Sequence, residues 1–448
     1  MQKSAPRKIW TLTAAVSLAA IALSGCSMFK GDGGPRTPTV GTRVPILSSQ
    51  ADVVVDPTIA GLEVILPAAI PNADWAQPGG NAAKAMSHVA LPATLANAWT
   101  AQIDGGDARA RLAAAPVVAG GILYAIDTTA TVHAFDAATG ARRWSMKIGD
   151  TARDGQRARF GGGVSVDGGI AYAVSGLGDV AALDAATGEV RWSVRPSGPL
   201  RGAPTLAFGN VYLMGQDNQL FALRATDGNV EWQESGSVAP GSVFGVAAPA
   251  AGQGTIVAGY SSGELNAYRY ENGRPLWADA LARTSIAVSV STLTDIDADP
   301  VVDRGRVFAI GQGGRMAAYE LLSGQRIWEL NIAGIATPWV AGEWVFVLTD
   351  DSRMLCIARA TGKIRWIGQL PRWRDEEDRD GRIRWTGPVL AGGRLVAVST
   401  DGRMAQVNPA DGTVTSMTNI SGPSRLSPVV ANGMLYLMDD NGRITAWR

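Results

Sequence analysis

VHAFDAATGARRW at residues 132–144 and VAALDAATGEVRW at residues 180–192 are near-copies of one another. In both, a glycine stands four residues before a tryptophan. The same spacing recurs in Gly228 and Trp232, Gly273 and Trp277, Gly324 and Trp328, and Gly362 and Trp366. A seventh copy keeps Gly412 but has Ser416 in place of the tryptophan. The tryptophans are about 38 to 51 residues apart, which is the length of one four-stranded propeller blade.

Each copy predicts a strand, a tight turn and a returning strand. Glycine supplies the positive φ that such a turn needs, and the tryptophan is predicted to fill the gap between neighbouring blades. Another strand precedes each copy and occurs eight times. These strands are Ile122–Ala125, Ile170–Ala173, Val211–Met214, Ile256–Gly259, Val307–Ile310, Val345–Leu348, Leu395–Val398 and Leu435–Met438.

The two ends of the repeat region complement one another. The last copy stops at Arg448, where its fourth strand should begin, and residues 95–103 (LANAWTAQI) look like a fourth strand with no third strand before it. We therefore predict an all-β fold over residues 95–448. It is an eight-bladed β-propeller with four-stranded antiparallel blades, closed by the N-terminal strand completing the C-terminal blade. Seven blades is the alternative.

The N-terminus is typical of an exported lipoprotein. Lys3, Arg7 and Lys8 precede an apolar run at residues 9–23, which is too short to be a membrane-spanning helix. The run ends in LSGC at 23–26, which resembles a bacterial lipobox. We predict a signal peptide at residues 1–25 and lipidation of Cys26. Residues 26–94 are then a lipidated tether and an irregular N-terminal segment.

Composition excludes several function classes. The chain has 448 residues with 40 basic and 40 acidic side chains, which argues against a nucleic-acid binder. Two cysteines and two histidines are too few for a structural zinc site or a disulfide framework. His133 and Cys356 lie in predicted strands, where packing is the simplest role for both.

The motif Ala-x-Asp-x-x-Thr-Gly-x-x-x-Trp resembles the tryptophan-docking motif of quinoprotein-type propellers, a fold shared by enzymes and non-enzymes. The lipobox, the orphan strand around Trp99 and the absence of extra domains together resemble the BamB family. These are propeller lipoproteins of the outer-membrane β-barrel assembly machinery. The resemblance implies a non-catalytic scaffold without a cofactor, anchored in the outer membrane, facing the periplasm and assisting insertion of outer-membrane proteins.

Two segments carry the resemblance further. Pro199-Leu200-Arg201-Gly202 and Thr294-Asp295-Ile296-Asp297 are similar to the family loops that contact a POTRA domain of BamA. The resemblance thus implies Leu200 as an apolar anchor, Arg201 as a bidentate donor, and Asp295 and Asp297 as carboxylates on the same rim. Gly198 stands where the family pattern has a leucine.

The sequence also allows an enzymatic function, a calcium site and a second contact surface. A PQQ-dependent quinoprotein oxidoreductase would share the tryptophan motif, but this chain has no adjacent cysteine pair. Asp295, Asp297 and Asp299 alternate and could ligate calcium, contact a partner, or lie in a solvated loop. The charged run at residues 372–384 is predicted to be an exposed loop. Its flanking residues Trp373 and Trp385 are candidates for a second contact surface.

Overall fold

The computed structural model describes residues 52–107, 110–149, 159–237, 245–281 and 294–448. The predicted signal peptide, Cys26 and the first part of the predicted tether lie outside these described residues. Secondary structure in the described part of the chain consists of strands and turns. No helix there is long and apolar enough to cross a bilayer.

The strands form eight four-stranded antiparallel sheets, which confirms the predicted propeller. β1 (Asn97–Gln102) and β2 (Ala110–Arg111) precede the first complete blade. Blade 1 contains β3 (Val117–Ala119), β4 (Ile122–Ile126), β5 (Thr131–Asp136) and β6 (Arg142–Lys147), and is followed by β7 (Arg159–Phe160). Blade 2 contains β8 (Gly162–Asp167), β9 (Ile170–Ser175), β10 (Val180–Asp184) and β11 (Val190–Val194). Blade 3 contains β12 (Thr205–Ala207), β13 (Asn210–Met214), β14 (Gln219–Arg224) and β15 (Val230–Ser235). Blade 4 contains β16 (Ala250–Gly252), β17 (Thr255–Gly259), β18 (Glu264–Arg269) and β19 (Pro275–Ala280).

Blade 5 contains β20 (Val301–Asp303), β21 (Arg306–Ile310), β22 (Met316–Glu320) and β23 (Arg326–Leu330). Blade 6 contains β24 (Trp339–Ala341), β25 (Trp344–Leu348), β26 (Arg353–Ala358) and β27 (Ile364–Gln369). A hairpin of β28 (Trp373–Asp375) and β29 (Asp380–Arg382) leads into blade 7, which contains β30 (Trp385–Ala391), β31 (Arg394–Ser399), β32 (Arg403–Val407) and β33 (Val414–Asn419). Blade 8 contains β34 (Val429–Ala431), β35 (Met434–Met438), β36 (Arg443–Trp447) and β1. The charged run thus forms an exposed hairpin; Trp385 is buried and its indole donates to the Pro371 carbonyl.

Alternating connections give the propeller two faces. We call the face that carries the first-to-second and third-to-fourth strand turns the turn face. The opposite face carries the second-to-third turns and the connections between blades, and we call it the loop face. The second and third strands of each blade are almost wholly buried, whereas the fourth strand alternates between buried and exposed side chains.

Neighbouring blades are joined by a tryptophan that docks on the next blade. In seven junctions the indole N–H donates to a backbone carbonyl at the third-to-fourth turn of the next blade, at 2.8–3.0 Å. The same ring lies against the glycine of that turn, where an added Cβ would come within 2.4–2.8 Å of it. The docking residues are Trp99, Trp144, Trp192, Trp232, Trp277, Trp328 and Trp366. The predicted inter-blade role of the series is confirmed.

The eighth junction explains the serine in the repeat. Ser416 occupies the docking position of blade 7, and the next blade is blade 8. The third and fourth strands of blade 8 come from opposite ends of the chain, so no third-to-fourth turn is present to receive an indole. β1 and β36 pair instead, from Asn97 with Trp447 to Gln102 with Arg443.

A segment before β1 contacts every blade in turn. We call residues 72–91 the strap. Its backbone or side chains bond to residues near the innermost strands at 2.6–3.2 Å. The contacts, in strap order, are Asn72 with Val430 of blade 8, Trp75 with Val118 of blade 1, Ala76 with Val166 of blade 2, Gln77 with Leu206 of blade 3, Ala82 with Ala251 of blade 4, Ala83 with Val302 of blade 5, Ser87 with Trp339 of blade 6, and Val89 with Leu390 of blade 7.

The strap thus follows the inside of the ring at its turn-face end. Trp75 is 2% exposed and stacks on Trp339 with ring centroids 5.9 Å apart. The Nε2 atom of His88 accepts a hydrogen bond from the Gly393 amide, and its Nδ1 atom is hydrogen-bonded to the Pro67 carbonyl. The strap joins blade 8 to blade 1 independently of the β1–β36 pairing, so two separate contacts close the ring.

The docking contact can be tested at Gly188, whose φ is +78° and whose added Cβ would lie 2.6 Å from the Trp144 ring. Gly209 is a matched control, because its φ is +79° and nothing lies within 4 Å of an added Cβ. Gly209→Ala should lower the free energy of unfolding by about 1 kcal/mol through backbone strain alone. Gly188→Ala should cost about 1–3 kcal/mol more. Equal losses in urea-induced unfolding would show that the indole contact is not tight.

Candidate functional site on the loop face

Arg201 is buried beneath the loop face and connects three inter-blade connections. It lies in the connection between blades 2 and 3, and its side chain is completely inaccessible to solvent. Its Nη2 is 3.0 Å from Asp295 Oδ1, in the connection between blades 4 and 5. Its guanidinium lies against Gly245, in the connection between blades 3 and 4, where a Cβ would come within 2.7 Å of Cζ. One side chain therefore fixes the relative position of all three connections.

Each of the three alternating aspartates is paired with a protein group, and Asp297 and Asp299 are half-buried at the axial cavity. Asp295 is 2% exposed, so the interpretation as a solvated loop is wrong for this residue. Asp297 Oδ1 accepts a hydrogen bond from the Val246 amide at 2.5 Å, and Asp299 Oδ1 accepts one from the Ala248 amide at 2.7 Å. In the described part of the chain, no three acidic, histidine or cysteine side chains are grouped to hold a metal ion.

Leu200 points away from this cluster. It is 1% exposed and packs between blades 2 and 3 with Tyr172, Leu213 and Phe221. The structure thus brings Arg201, Asp295 and Asp297 together, and it places Leu200 in the hydrophobic core beside them. The exposed residues at this place are Gly198, Pro199 and Asp217.

A cavity of about 150 Å³ follows the propeller axis from the strap towards the loop face. Trp75 and Lys84 of the strap line it together with Asp297, Asp299 and Thr337. Lys84 is 1% exposed, and its ammonium donates to Thr205 Oγ1 at 3.1 Å. The strap therefore supplies a buried positive charge on the axis.

Burial dominates the electrostatics of this region. It lowers the pKa of Lys84 to about 8, against the attraction of Asp299, and raises the pKa of Asp297 to about 6. Burial also raises the pKa of Asp295, even though Arg201 acts in the opposite direction. For a buried ion pair, the cost of removing both charges from water largely offsets their attraction, so a large gain in stability is not expected from the Arg201–Asp295 pair.

Comparison with known proteins identifies the family. The family model described as outer membrane protein assembly factor BamB matches residues 46–159, 128–368 and 371–447. The chain belongs to the BamB family. A BamB relative from Salmonella typhimurium strain LT2 is 27% identical over 372 residues, covering 74% of this chain and 83% of the relative. The resemblance inferred from the repeat and the rim segments is confirmed at the level of the family, whose members are outer membrane protein assembly factors.

Solved structures add evidence on the fold alone. The crystal structure of BamB from Moraxella catarrhalis superposes with a TM-score of 0.67 at 21% identity, over 79% of this chain and all of that one. The quinohemoprotein alcohol dehydrogenase from Comamonas testosteroni superposes with a TM-score of 0.66 at 15% identity, over 85% of this chain and 81% of that one. BamB-type propellers and quinoprotein dehydrogenases therefore share this architecture, and the fold does not choose between them.

Asp127, His133 and Ser145 form a hydrogen-bonded series that the sequence did not reveal. His133 Nε2 is 2.8 Å from Asp127 Oδ2, and Nδ1 is 2.8 Å from Ser145 Oγ. The connectivity is that of a hydrolytic triad, with the roles of the two ring nitrogens exchanged. However, His133 and Ser145 are a cross-strand pair of blade 1. The small cavity next to Asp127 is not lined by Ser145. The series joins the second-to-third turn to the outer strand of blade 1.

Sequence reasoning missed the strap and Gly245. The strap has no repeat signal, because each of its residues meets a different blade. Lys84 was a further signal, since a lone lysine between small residues in NAAKAM at 81–86 is unusual for a surface loop. The importance of Gly245 is visible only in the structure, where the Arg201 side chain lies against it.

The Arg201–Asp295 pair can be tested by a double-mutant cycle. Arg201→Met leaves a buried carboxylate without its partner and should cost about 3–5 kcal/mol of unfolding free energy. Adding Asp295→Leu should restore most of that loss, because both charges are then absent. Arg143→Met is the control: this exposed arginine pairs with Asp136 at 2.7 Å, and its loss should cost under about 1 kcal/mol. A double variant as unstable as Arg201→Met would contradict this account.

Asp297 gives a pH-dependent prediction. Its pKa is raised to about 6 in the folded protein, so the folded state binds more protons than the unfolded state between about pH 4 and 6. Stability should therefore increase as pH falls through this window. Asp297→Asn should remove that increase and add about 3 kcal/mol at pH 7, as measured by urea unfolding across pH.

Asp184 is a control, because its pKa is shifted in the opposite direction to that of Asp297. Hydrogen bonds from Arg191 and from turn amides lower its pKa, so the stability it provides is lost as pH falls. Asp184→Asn should therefore make the protein less sensitive to acid. If Asp297→Asn leaves the pH profile unchanged, the carboxyl is not held out of water.

Proposed function

We propose that this protein is a non-catalytic scaffold of the outer-membrane β-barrel assembly machinery. In this proposal it is anchored in the outer membrane by acyl chains on Cys26 and faces the periplasm. Its loop face binds a POTRA domain of BamA and thereby assists folding and insertion of outer-membrane proteins. Membership of the BamB family supports the assembly role, and the lipobox supports the anchor.

The observation that carries the binding surface is the buried Arg201–Asp295 pair. An ion pair whose desolvation largely offsets its attraction contributes little stability, so its value lies in fixing geometry. Here it holds three neighbouring connections of the loop face in one arrangement. A preorganised surface loses less entropy on binding and gains affinity without new contacts.

The proposal therefore gives the predicted site residues two roles. Arg201, Asp295 and Asp297 position the loops from below, and Leu200 packs the junction between blades 2 and 3. Direct contact falls to exposed neighbours such as Pro199 and Asp217. Charge reversal of the buried residues would disturb folding, so it cannot by itself locate the interface.

The quinoprotein alternative rests on the shared fold alone. The similarity to the dehydrogenase is only 15% in sequence, and the paired cysteines expected of such an enzyme are missing from the whole sequence. Cys356 lies in the core, where burial raises the pKa of its thiol and keeps it unreactive. No feature of the described residues favours catalysis over scaffolding.

Pro199→Glu combined with Asp217→Arg tests the interface. Both residues are exposed, so the variant should unfold like the parent protein. The new charges should weaken co-purification of BamA from the native envelope roughly tenfold or more, as hot-spot contacts do. Val230→Glu is the control, because this 48% exposed residue lies at the turn-face end of the same blade and should leave binding intact. Undiminished BamA recovery with the double variant would remove this surface from the proposal.

A further inference from the structure

The segment leading into the strap exposes several large apolar side chains, between residues such as Val64 that pack into the core. We call residues 53–71 the apolar strip. Val54 is 72% exposed, Leu62 51%, Ile65 71% and Ile70 61%. Exposed apolar surface of this kind marks a contact with a protein or a membrane.

The backbone of the strip is fixed, so its side chains are held outward. The Asp56 amide donates to the Ile364 carbonyl at 2.9 Å, and Arg365 donates to the Leu62 carbonyl. At the far end, the Ile70 amide donates to the His88 carbonyl of the strap at 2.9 Å. The entropy of ordering this segment is therefore already lost in the free protein.

Charge is scarce along the strip. Its two acidic residues are Asp56 and Glu63, and it has no lysine or arginine. Asp56 is paired with Lys363 at 3.3 Å. A single free carboxylate among exposed aliphatic side chains gives little basis for charge-matched recognition of a protein partner.

From Asp56 onward the strip lies on the turn face, which carries most of the other exposed apolar side chains. Before Asp56, Val53 and Val54 lie beside the outer strands of blades 5 and 6. Pro67 packs against Gly342, in the first-to-second turn of blade 6. Phe208 is exposed at the corresponding turn of blade 3, and Val190, Leu322 and Val414 are exposed at third-to-fourth turns. On the loop face, Ile335 is the exposed large apolar residue of the described segments. The exposed apolar surface is thus concentrated on one face.

We propose that the turn face lies against the lipid bilayer, with the apolar strip in the interfacial layer. This inference rests on the proposed lipidation of Cys26. That residue is 26 positions before Asp52, so the acyl chains anchor within about 90 Å of the strip. Tethering makes the second contact effectively intramolecular, so a weak interfacial affinity suffices. A bilayer interface fits the strip, which is apolar and poor in charge, and the exposed ion pairs of the surrounding turns, such as Arg143–Asp136 and Arg191–Asp184, would lie at the level of the polar headgroups.

The consequence concerns orientation. If the turn face meets the bilayer, the loop face with Arg201 and the β28–β29 hairpin is directed away from it. The proposed contacts with a periplasmic POTRA domain then lie on the accessible side. The strip and strap would set that orientation, because they connect the lipid-bearing end directly to all eight blades.

The test uses the mature polypeptide from Ser27, made without its lipid, and vesicles of phosphatidylethanolamine and phosphatidylglycerol. Ile65→Cys introduces one reactive thiol, because Cys26 is missing and Cys356 is fully buried. An environment-sensitive dye at this position should shift to the blue when vesicles are added. The same dye at Ile335→Cys, on the loop face, should not respond.

A second measurement links the response to the apolar side chains. Leu62→Asp with Ile65→Asp should lower the vesicle partition coefficient roughly tenfold, whereas Ile335→Asp should leave it unchanged. Both substitutions are at exposed positions, so thermal unfolding should match the parent protein. A dye at position 65 that remains in a polar environment even in the lipidated protein, anchored through Cys26 in the same vesicles, would overturn the proposal. A dye that responds only to purified POTRA domains would do so as well, by assigning the strip to a protein contact.

These outcomes are separable from failure of the proposed function. Lipidation is read independently by palmitate labelling of the full chain and its loss in Cys26→Ala. BamA binding is read by the loop-face variants. If the dye in the strip does not respond, while Cys26 is labelled with palmitate and BamA binding is retained, only the proposed orientation is refuted.

Discussion

The indole of each docking tryptophan lies on the glycine turn of the next blade, and the whole ring depends on this contact. A blade cannot bury both faces of its own sheet, so its stability comes from its neighbours. The contact needs an indole on one blade and a turn without a side chain on the next. Because blades 1 to 6 each receive a tryptophan from the preceding blade and dock one on the next, the spacing of the motif along the chain becomes the spacing of the blades around the axis.

A ring built from such contacts has one weak point, where the chain ends meet. Here the turn that would receive the eighth tryptophan does not exist, and the chain has Ser416 instead. Two other contacts take over: the pairing of β1 with β36 and the strap. The strap bonds to polar groups of innermost strands that otherwise face the channel. It fills that end of the axis with Trp75 and brings Lys84 into the interior.

The two faces of the ring have different chemistry. The loop face is shaped from beneath by the buried Arg201–Asp295 ion pair, and burial raises the pKa of Asp295. The turn face exposes aliphatic side chains fixed on an anchored backbone. These properties suit a scaffold that presents one ordered surface to a folded partner while its other side meets a less specific one. In the proposed arrangement, the membrane contact and the partner contact thus occupy opposite ends of the axis.

The sequence by itself determined the eight blades, their order and the closure, because a repeat records a contact made many times over. It also indicated Arg201, Asp295 and Asp297 as a group through their resemblance to family segments. Only the tertiary structure decided that Arg201 and Leu200 are buried, since exposure depends on which side of a connection faces the neighbouring blade. The strap was equally invisible, because a segment whose residues each meet a different blade, at a different angle, has no reason to be periodic.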